Sequence, residues 1–97
     1  MRRRPTALGW IDPDISVEFD VAAIQIRSLA RRLGYDLIWP DDRAFLPLIE
    51  QVRAAEVDAV ITPAPDHLSP LTLHNLMMLA DVETVWPRLS FARWCVV

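Results

Sequence analysis

The stretch Val57-Asp58-Ala59-Val60-Ile61-Thr62 is the most continuous apolar run of the chain, and it predicts a strand at the centre of a sheet. A proline-rich loop follows the stretch and carries Asp66 and His67. The predicted strand therefore ends in a polar turn. In open α/β sheets, ligands bind outside the carboxyl ends of the strands, where such a turn lies.

The segments before this stretch alternate between strand and helix patterns. Residues 7–11 form a short apolar run that stops at Asp12-Pro13-Asp14, which predicts a first strand. Residues 19–33 predict a helix closed by Gly34 as its C-cap, and residues 35–39 predict the next strand. The helix is predicted to bury one stripe, formed by Phe19, Ala23, Ile26, Ala30 and Leu33.

Two further helices and a fourth strand complete the pattern. A second helix is expected after a cap at Asp41 or Asp42, with Pro47 in its first turn. Its predicted core face is Phe45, Leu48, Ile49 and Val52. A third helix is marked by Leu73, Leu76, Met77 and Ala80. Residues 82–86 predict the fourth strand.

Strands that alternate with helices through short links predict an α/β domain with right-handed crossovers. We expect a small three-layer sandwich around a mostly parallel sheet of four to five strands. In this interpretation residues 1–6 are a flexible N-terminal arm and residues 7–86 are the α/β domain. Residues 87–97 are either a C-terminal tail or an edge strand.

The charge of the chain bears on possible partners. The formal net charge of the 97 residues is -3, all ten basic residues are Arg, and three of these are the run Arg2-Arg3-Arg4. Without that run, seven Arg face thirteen acidic residues. The chain without this run is therefore acidic and repels phosphate. This argues against strong non-specific nucleic-acid binding unless the charges segregate to one face. The run itself is interpreted as a solvated chain end, with a phosphate-contacting arm as the alternative.

Cysteine content and hydropathy bear on the cellular location. The single cysteine, Cys95, cannot form an internal disulfide, which fits a reducing compartment. No segment approaches the roughly 20 apolar residues of a membrane span, and the chain start has no apolar signal core. We therefore predict a cytoplasmic protein without membrane contact.

Three short motifs, in this order, resemble the N-terminal catalytic domain of the serine recombinases, the resolvase and invertase family. They are Gly9-Trp10-Ile11-Asp12-Pro13-Asp14, then Gln25 with Ile26 and Leu29, then Asp66-His67-Leu68-Ser69-Pro70. The resemblance covers residues 6–86. It implies a resolvase-like fold and, for an intact member, DNA strand exchange by a serine nucleophile with arginines that neutralise the transition state.

The departures from the family pattern fall on the residues that carry this chemistry. Asp14 stands where the resemblance implies the nucleophilic serine, and Asp12 stands where it implies an arginine. His67 and Pro70 take the places of two further arginines, and only Asp66 is unchanged. A site built this way is catalytically degenerate.

A few family-type side chains remain as possible remnants. They are the hydroxyls of Ser16 and Ser69, the arginines Arg27 and Arg43, and Gln25, for which a solvent-facing position is an equal alternative. The resemblance also implies a long dimerisation helix and a C-terminal DNA-binding helix-turn-helix. The residues after 86 leave no room for either, so we expect both to be lacking.

These observations predict a non-catalytic binding or regulatory module. The alternative is a DNA-binding recombinase that performs strand exchange. A lesser alternative is a magnesium-dependent phosphotransferase, because Asp12 and Asp14 follow a strand and could converge with Asp66 on a cation. The chain lacks the lysine that aspartyl-phosphate sites generally employ, and we expect no cofactor. His67 could act as a general base, but a surface or capping role is favoured.

Aromatic residues near the C-terminus suggest where a partner could bind. Four Trp in a chain of this length exceed the need of one core, and tryptophan is enriched in binding hot spots. The predicted partner-binding residues are Trp86, Phe91, Arg93 and Trp94. The expected partner is another protein or a second copy of the chain.

Overall fold

The computed structural model describes residues 4–15, 18–40 and 47–94. The strands in this part of the chain are β1 (Thr6–Gly9), β2 (Asp36–Ile38), β3 (Ala59–Thr62), β4 (Asp81–Thr84) and β5 (Ser90–Phe91). The α-helices are α1 (Phe19–Leu33), α2 (Leu48–Ala55) and α3 (Pro70–Met77), and a single 3₁₀ turn spans Pro65–His67.

The strands form one sheet in the order β2-β1-β3-β4-β5. The first three pairings in this order are parallel, and β5 runs antiparallel to β4 at the edge. Every residue of β3 is buried, so the prediction of a central strand from its apolar continuity is confirmed. The α/β prediction with a mostly parallel sheet is confirmed as well.

Helices cover both faces of the sheet. Alternate strand residues point to opposite faces: Leu8, Val60 and Val82 pack in one cluster with Leu48 and Leu76, which belong to α2 and α3. Ala7, Ala59 and Ile61 pack on the other face with Ile26 and Leu29 of α1. The predicted three-layer arrangement is therefore present.

Helix α1 ends as predicted but buries a different stripe. Gly34 adopts a left-handed conformation (φ 83°) and donates its backbone N–H to the last turn, where Arg31 and Arg32 suit the helix dipole. Its buried residues are Ala22, Ile26, Leu29 and Ala30. The prediction was wrong for Phe19, which is 52% exposed, and for Leu33. A 15-residue helix is about 22 Å long, whereas a four-residue strand spans about 13 Å, so the helix ends extend beyond the sheet.

Helices α2 and α3 begin at different kinds of cap. Helix α2 follows Pro47 at its N-cap, without a side-chain cap bond, and it buries Leu48 and Val52. The predicted cap at Asp41 or Asp42 and the predicted core residue Phe45 lie outside the described residues. Helix α3 ends at Met77, before the buried Ala80 that the prediction included in its apolar face.

Both ends of the described chain are attached to the sheet. The predicted arm over residues 1–6 was wrong for residues 4–6: Thr6 belongs to β1, the Pro5 carbonyl accepts the Asp36 N–H at 2.8 Å, and Arg4 pairs with Asp36 at 3.5 Å. At the other end, residues 90–91 form an edge strand. No described helix has the length and hydropathy needed to cross a membrane.

Candidate functional site

The loops after β1 and β3 meet at one edge of the sheet. Strand β2 lies on one side of β1 and β3 lies on the other, so the chain changes direction across the sheet between these two strands. Helix α1 covers one face, and the helices that follow β2 and β3 cover the opposite face. Such a topological switch point leaves a crevice at the carboxyl ends of the strands, where α/β proteins bind ligands.

His67 joins the two loops. Its Nδ1 atom accepts the backbone N–H of Asp12 at 2.9 Å, and its carbonyl accepts the indole N–H of Trp10 at 3.2 Å. The side chain is buried. A ring nitrogen that accepts an N–H bears no proton, so this geometry describes a neutral imidazole protonated on Nε2. The prediction of a surface histidine was wrong, because the His67 side chain is buried.

The carboxylate of Asp12 stabilises the loop to which Asp12 belongs. Oδ1 accepts the backbone N–H of Asp14 at 2.9 Å, and the Asp12 carbonyl accepts the Ile15 N–H at 3.1 Å. Short polar side chains commonly stabilise turns in this way. Asp14, at the position where the resemblance implies the nucleophile, is exposed within this turn.

The three carboxylates predicted to converge do not form a metal site. Asp66 is exposed on the 3₁₀ turn after β3, whereas Asp12 and Asp14 belong to the loop after β1. Among residues 4–15, 18–40 and 47–94, no group of three His, Cys, Asp or Glu side chains could hold a metal ion.

Ser69 is the N-cap of α3. Its Oγ accepts the Thr72 N–H at 3.1 Å and donates to the Thr72 hydroxyl at 2.8 Å. Pro70 occupies the first helical position, where its missing N–H costs no hydrogen bond. The resemblance placed Ser69 and Pro70 in the catalytic loop, and here they start a helix.

The remaining predicted remnants that the structure describes, Gln25 and Arg27, do not come together. Gln25 and Arg27 are both exposed on α1. Residues two positions apart on a helix point about 200° apart, so these two side chains leave the helix on different sides. The predicted residues Ser16 and Arg43 lie outside the described part of the chain.

The turn between β4 and β5 presents Trp86. Thr84 Oγ1 accepts the Leu89 N–H at 2.9 Å and donates to the Pro87 carbonyl. The buried carboxylate of Glu83 accepts bonds from Arg88 at 2.7 Å and from the Ser90 hydroxyl at 2.8 Å. These contacts hold the turn while the Trp86 side chain stays 79% exposed.

The other predicted partner-binding residues lie elsewhere. Phe91 is half-buried against the cluster under α2 and α3. The Arg93 N–H donates to Asp81 at the start of β4, and the Trp94 N–H donates to the Met77 carbonyl at 2.9 Å. The backbone N–H of Trp86 instead donates to Pro63, beyond the carboxyl end of β3. Trp86 and Trp94 therefore lie at opposite ends of β4.

Sequence reasoning did not identify a cleft between α1 and the ends of β1 and β2. Its volume is about 600 Å³, and its walls include Trp39, Phe19 and Arg27. The signal available in the sequence was Gly9, because a glycine inside a strand often marks a close approach of another group. A Cβ added to Gly9 would lie 2.6 Å from the Trp39 ring.

The fold and this site define the class of the molecule: a three-layer α/β protein in which hydrogen bonds join the two loops at the topological switch point of the sheet. Comparison of the chain with family models, with curated proteins and with solved structures finds no match. An inference about function therefore rests on the residues of this chain.

Proposed function

We propose that this protein is a non-catalytic binding module. One observation carries the proposal: three of the polar side chains in the loops after β1 and β3 are engaged in internal hydrogen bonds. His67 Nδ1 binds the Asp12 N–H, the Asp12 carboxylate binds the Asp14 N–H, and the Ser69 hydroxyl caps α3. These are the roles of structural residues.

Catalysis by His67 needs a ring nitrogen with a free lone pair directed at substrate. In this geometry Nδ1 is an acceptor from the backbone and Nε2 carries the proton, so neither nitrogen serves as a base. A nucleophilic Ser69 needs a base that takes its proton. Its hydroxyl proton instead points to Thr72.

A surface suited to a protein partner lies on α3 and the segment after β5. We call it the α3–tail surface, and it consists of Leu71, His74, Met78 and Trp94. The first three are exposed at spacings of three and four, and Met78 is the C-cap of α3 in a helical conformation, so the three lie on one stripe. The Trp94 ring meets the His74 ring edge-on, with 4.5 Å between centroids.

The α3–tail surface has two properties of a docking site. Leu71, Met78 and Trp94 are large apolar side chains that remain 70%, 58% and 45% exposed, and clustered exposed apolar groups mark interaction surfaces. The bond from the Trp94 N–H to Met77 fixes the tryptophan backbone before binding. A prearranged tryptophan is a typical hot-spot residue.

The binding test compares two tryptophan variants. Sedimentation of the purified chain up to millimolar concentration detects a second copy as partner, and capture from native extract detects another protein. We expect Trp94→Ala to weaken the complex by about tenfold or more. Trp86→Ala is the matched control, because Trp86 is exposed at the opposite end of β4. Equal losses in both variants, or no loss in either, would contradict the assignment.

The catalytic alternatives have a separate test. Incubation with supercoiled DNA that carries recombination sites should leave the DNA supercoiled, with or without magnesium. Relaxed or linear product that disappears in Ser16→Ala or Ser69→Ala would establish the recombinase alternative. A melting temperature raised by millimolar magnesium in the natural chain but not in Asp12→Asn would support the phosphotransferase alternative.

A further inference from the structure

The cleft between α1 and the ends of β1 and β2 combines aromatic walls with charge. It lies beyond the carboxyl ends of β1 and β2, beside the amino-terminal half of α1, and its volume of about 600 Å³ is in the range of small-molecule sites. Its apolar side includes Trp39, Phe19 and Ile11, and its described charged residues are Asp20 and Arg27.

Trp39 is held in place on the floor of this cleft. The atoms of its six-membered ring lie 2.6 to 2.9 Å from the position that a Cβ of Gly9 would take, so the ring packs directly on the β1 backbone. The ring remains half-buried, and it lines the cleft together with Gly9. An aromatic ring that is fixed before binding is a favourable stacking platform, because little side-chain entropy is lost.

Arg27 supplies positive charge at the cleft. It also lines an adjoining groove of about 230 Å³ with Arg4, Arg31 and Asp36. Arg4 already pairs with Asp36, whereas Arg27 and Arg31 have no ion-pair partner within residues 4–15, 18–40 and 47–94. The described charged residues that line the groove and the cleft are Arg4, Arg27, Arg31, Asp20 and Asp36, so together they carry a net positive charge on a chain whose net charge is -3.

We propose that this cleft binds a small ligand with a planar aromatic ring and an anionic group, either carboxylate or phosphate. The ring stacks on Trp39 and the anion pairs with the guanidinium of Arg27. Arginine suits this role because its planar fork matches the oxygens of both anions. The proposal does not depend on the α3–tail surface, since the two sites share no residue.

The experiment is an NMR titration that follows the indole N–H signals of the four Trp. Each signal is assigned with a single tryptophan variant. The probes are adenosine monophosphate and indoleacetate, which distinguish phosphate from carboxylate. Two partial ligands are the controls: adenosine, which lacks the anionic group, and inorganic phosphate, which lacks the aromatic ring. We expect the Trp39 signal to move with at least one aromatic anion while the Trp86 and Trp94 signals stay in place. The partial ligands should bind about tenfold more weakly or worse.

Charge variants on α1 test the role assigned to Arg27. Arg27→Gln should weaken binding of the better probe by about tenfold, and the matched variant Arg32→Gln should have little effect, because Arg32 is exposed on another side of α1. Asp20→Asn should tighten binding a few-fold by removing a carboxylate from the cleft wall. All three positions are exposed, so these variants are expected to fold.

Three results would overturn the proposal. The first is that neither aromatic anion moves the Trp39 signal at millimolar concentration. The second is that adenosine or phosphate alone binds as tightly as the better aromatic anion. The third is that Arg27→Gln and Arg32→Gln weaken binding equally, which would show a response to overall charge alone.

Discussion

At the residue scale, two buried threonines in register at the ends of β3 and β4 differ in hydrogen bonding. Thr62 and Thr84 are paired in the parallel ladder, and both are fully buried. Thr84 accepts the Leu89 N–H, whereas the Thr62 hydroxyl has no partner among the described residues. A buried hydroxyl without a partner costs about 1 to 3 kcal/mol of stability.

Replacement by valine should therefore have opposite effects at these two positions. Thr62→Val is expected to raise the free energy of unfolding by about 1 kcal/mol, because it removes an unpaired hydroxyl at similar shape. Thr84→Val should lower it by about 1 to 3 kcal/mol, since the Leu89 N–H loses its acceptor. Urea unfolding followed by tryptophan fluorescence measures both, and a destabilised Thr62→Val would show that this hydroxyl has a partner.

A second residue-scale prediction concerns Gly9. An alanine Cβ would lie 2.6 Å from the Trp39 ring, closer than packed atoms approach, so the indole must shift. We expect Gly9→Ala to cost about 1 to 3 kcal/mol, the usual range for overpacking. Gly9→Ala combined with Trp39→Leu should cost less than the sum of the two single changes, and strictly additive costs in urea unfolding would argue against this contact.

At the element scale, the start of α3 depends on Ser69. Ser69→Ala should lower stability by about 1 kcal/mol, because the Thr72 N–H loses its cap. Ser69→Asp keeps an acceptor at this position and should retain most of the natural stability. Thermal unfolding compares the two variants. The comparison distinguishes a structural serine from a catalytic one. An aspartate side chain can accept the Thr72 N–H as the cap does, but it cannot replace a serine hydroxyl as the nucleophile.

At the scale of the whole molecule, burial and acidic charge act together on Tyr35. Desolvation raises the pKa of the Tyr35 hydroxyl above its usual value of 10.0, and the carboxylates of Asp81, Glu83 and Asp58 raise it further. Above pH 10 the unfolded chain releases this proton while the folded chain retains it. The folded state then binds more protons, so stability falls as the pH rises through this range.

The corresponding variant is Tyr35→Phe. Between pH 9 and pH 11 the free energy of unfolding of the natural chain should fall more steeply than that of the variant, as measured by urea unfolding at each pH. Tyr35 accounts for this difference because it is the only tyrosine of the chain. Identical slopes would show that its pKa does not change on folding.

The fold was predictable to the extent that it depends on local pattern. The apolar continuity of β3 identified the central strand, and Gly34 identified the end of α1, because burial on both faces and a left-handed cap leave direct marks in the sequence. The error at Phe19 arose because helix periodicity identifies a face but does not show how far the sheet beneath it extends.

For the candidate site, the sequence predicted which loops take part but not the contacts between them. The order of strands and helices places Asp12 and His67 near one edge of the sheet, so the sequence by itself determined which loops face each other. Tertiary structure alone decided that His67 accepts the N–H of a residue 55 positions away and that Trp39 packs on Gly9. It also separated Trp86 from Trp94. Local preference depends on near neighbours, whereas these contacts depend on strand register and on packing between segments distant in the chain.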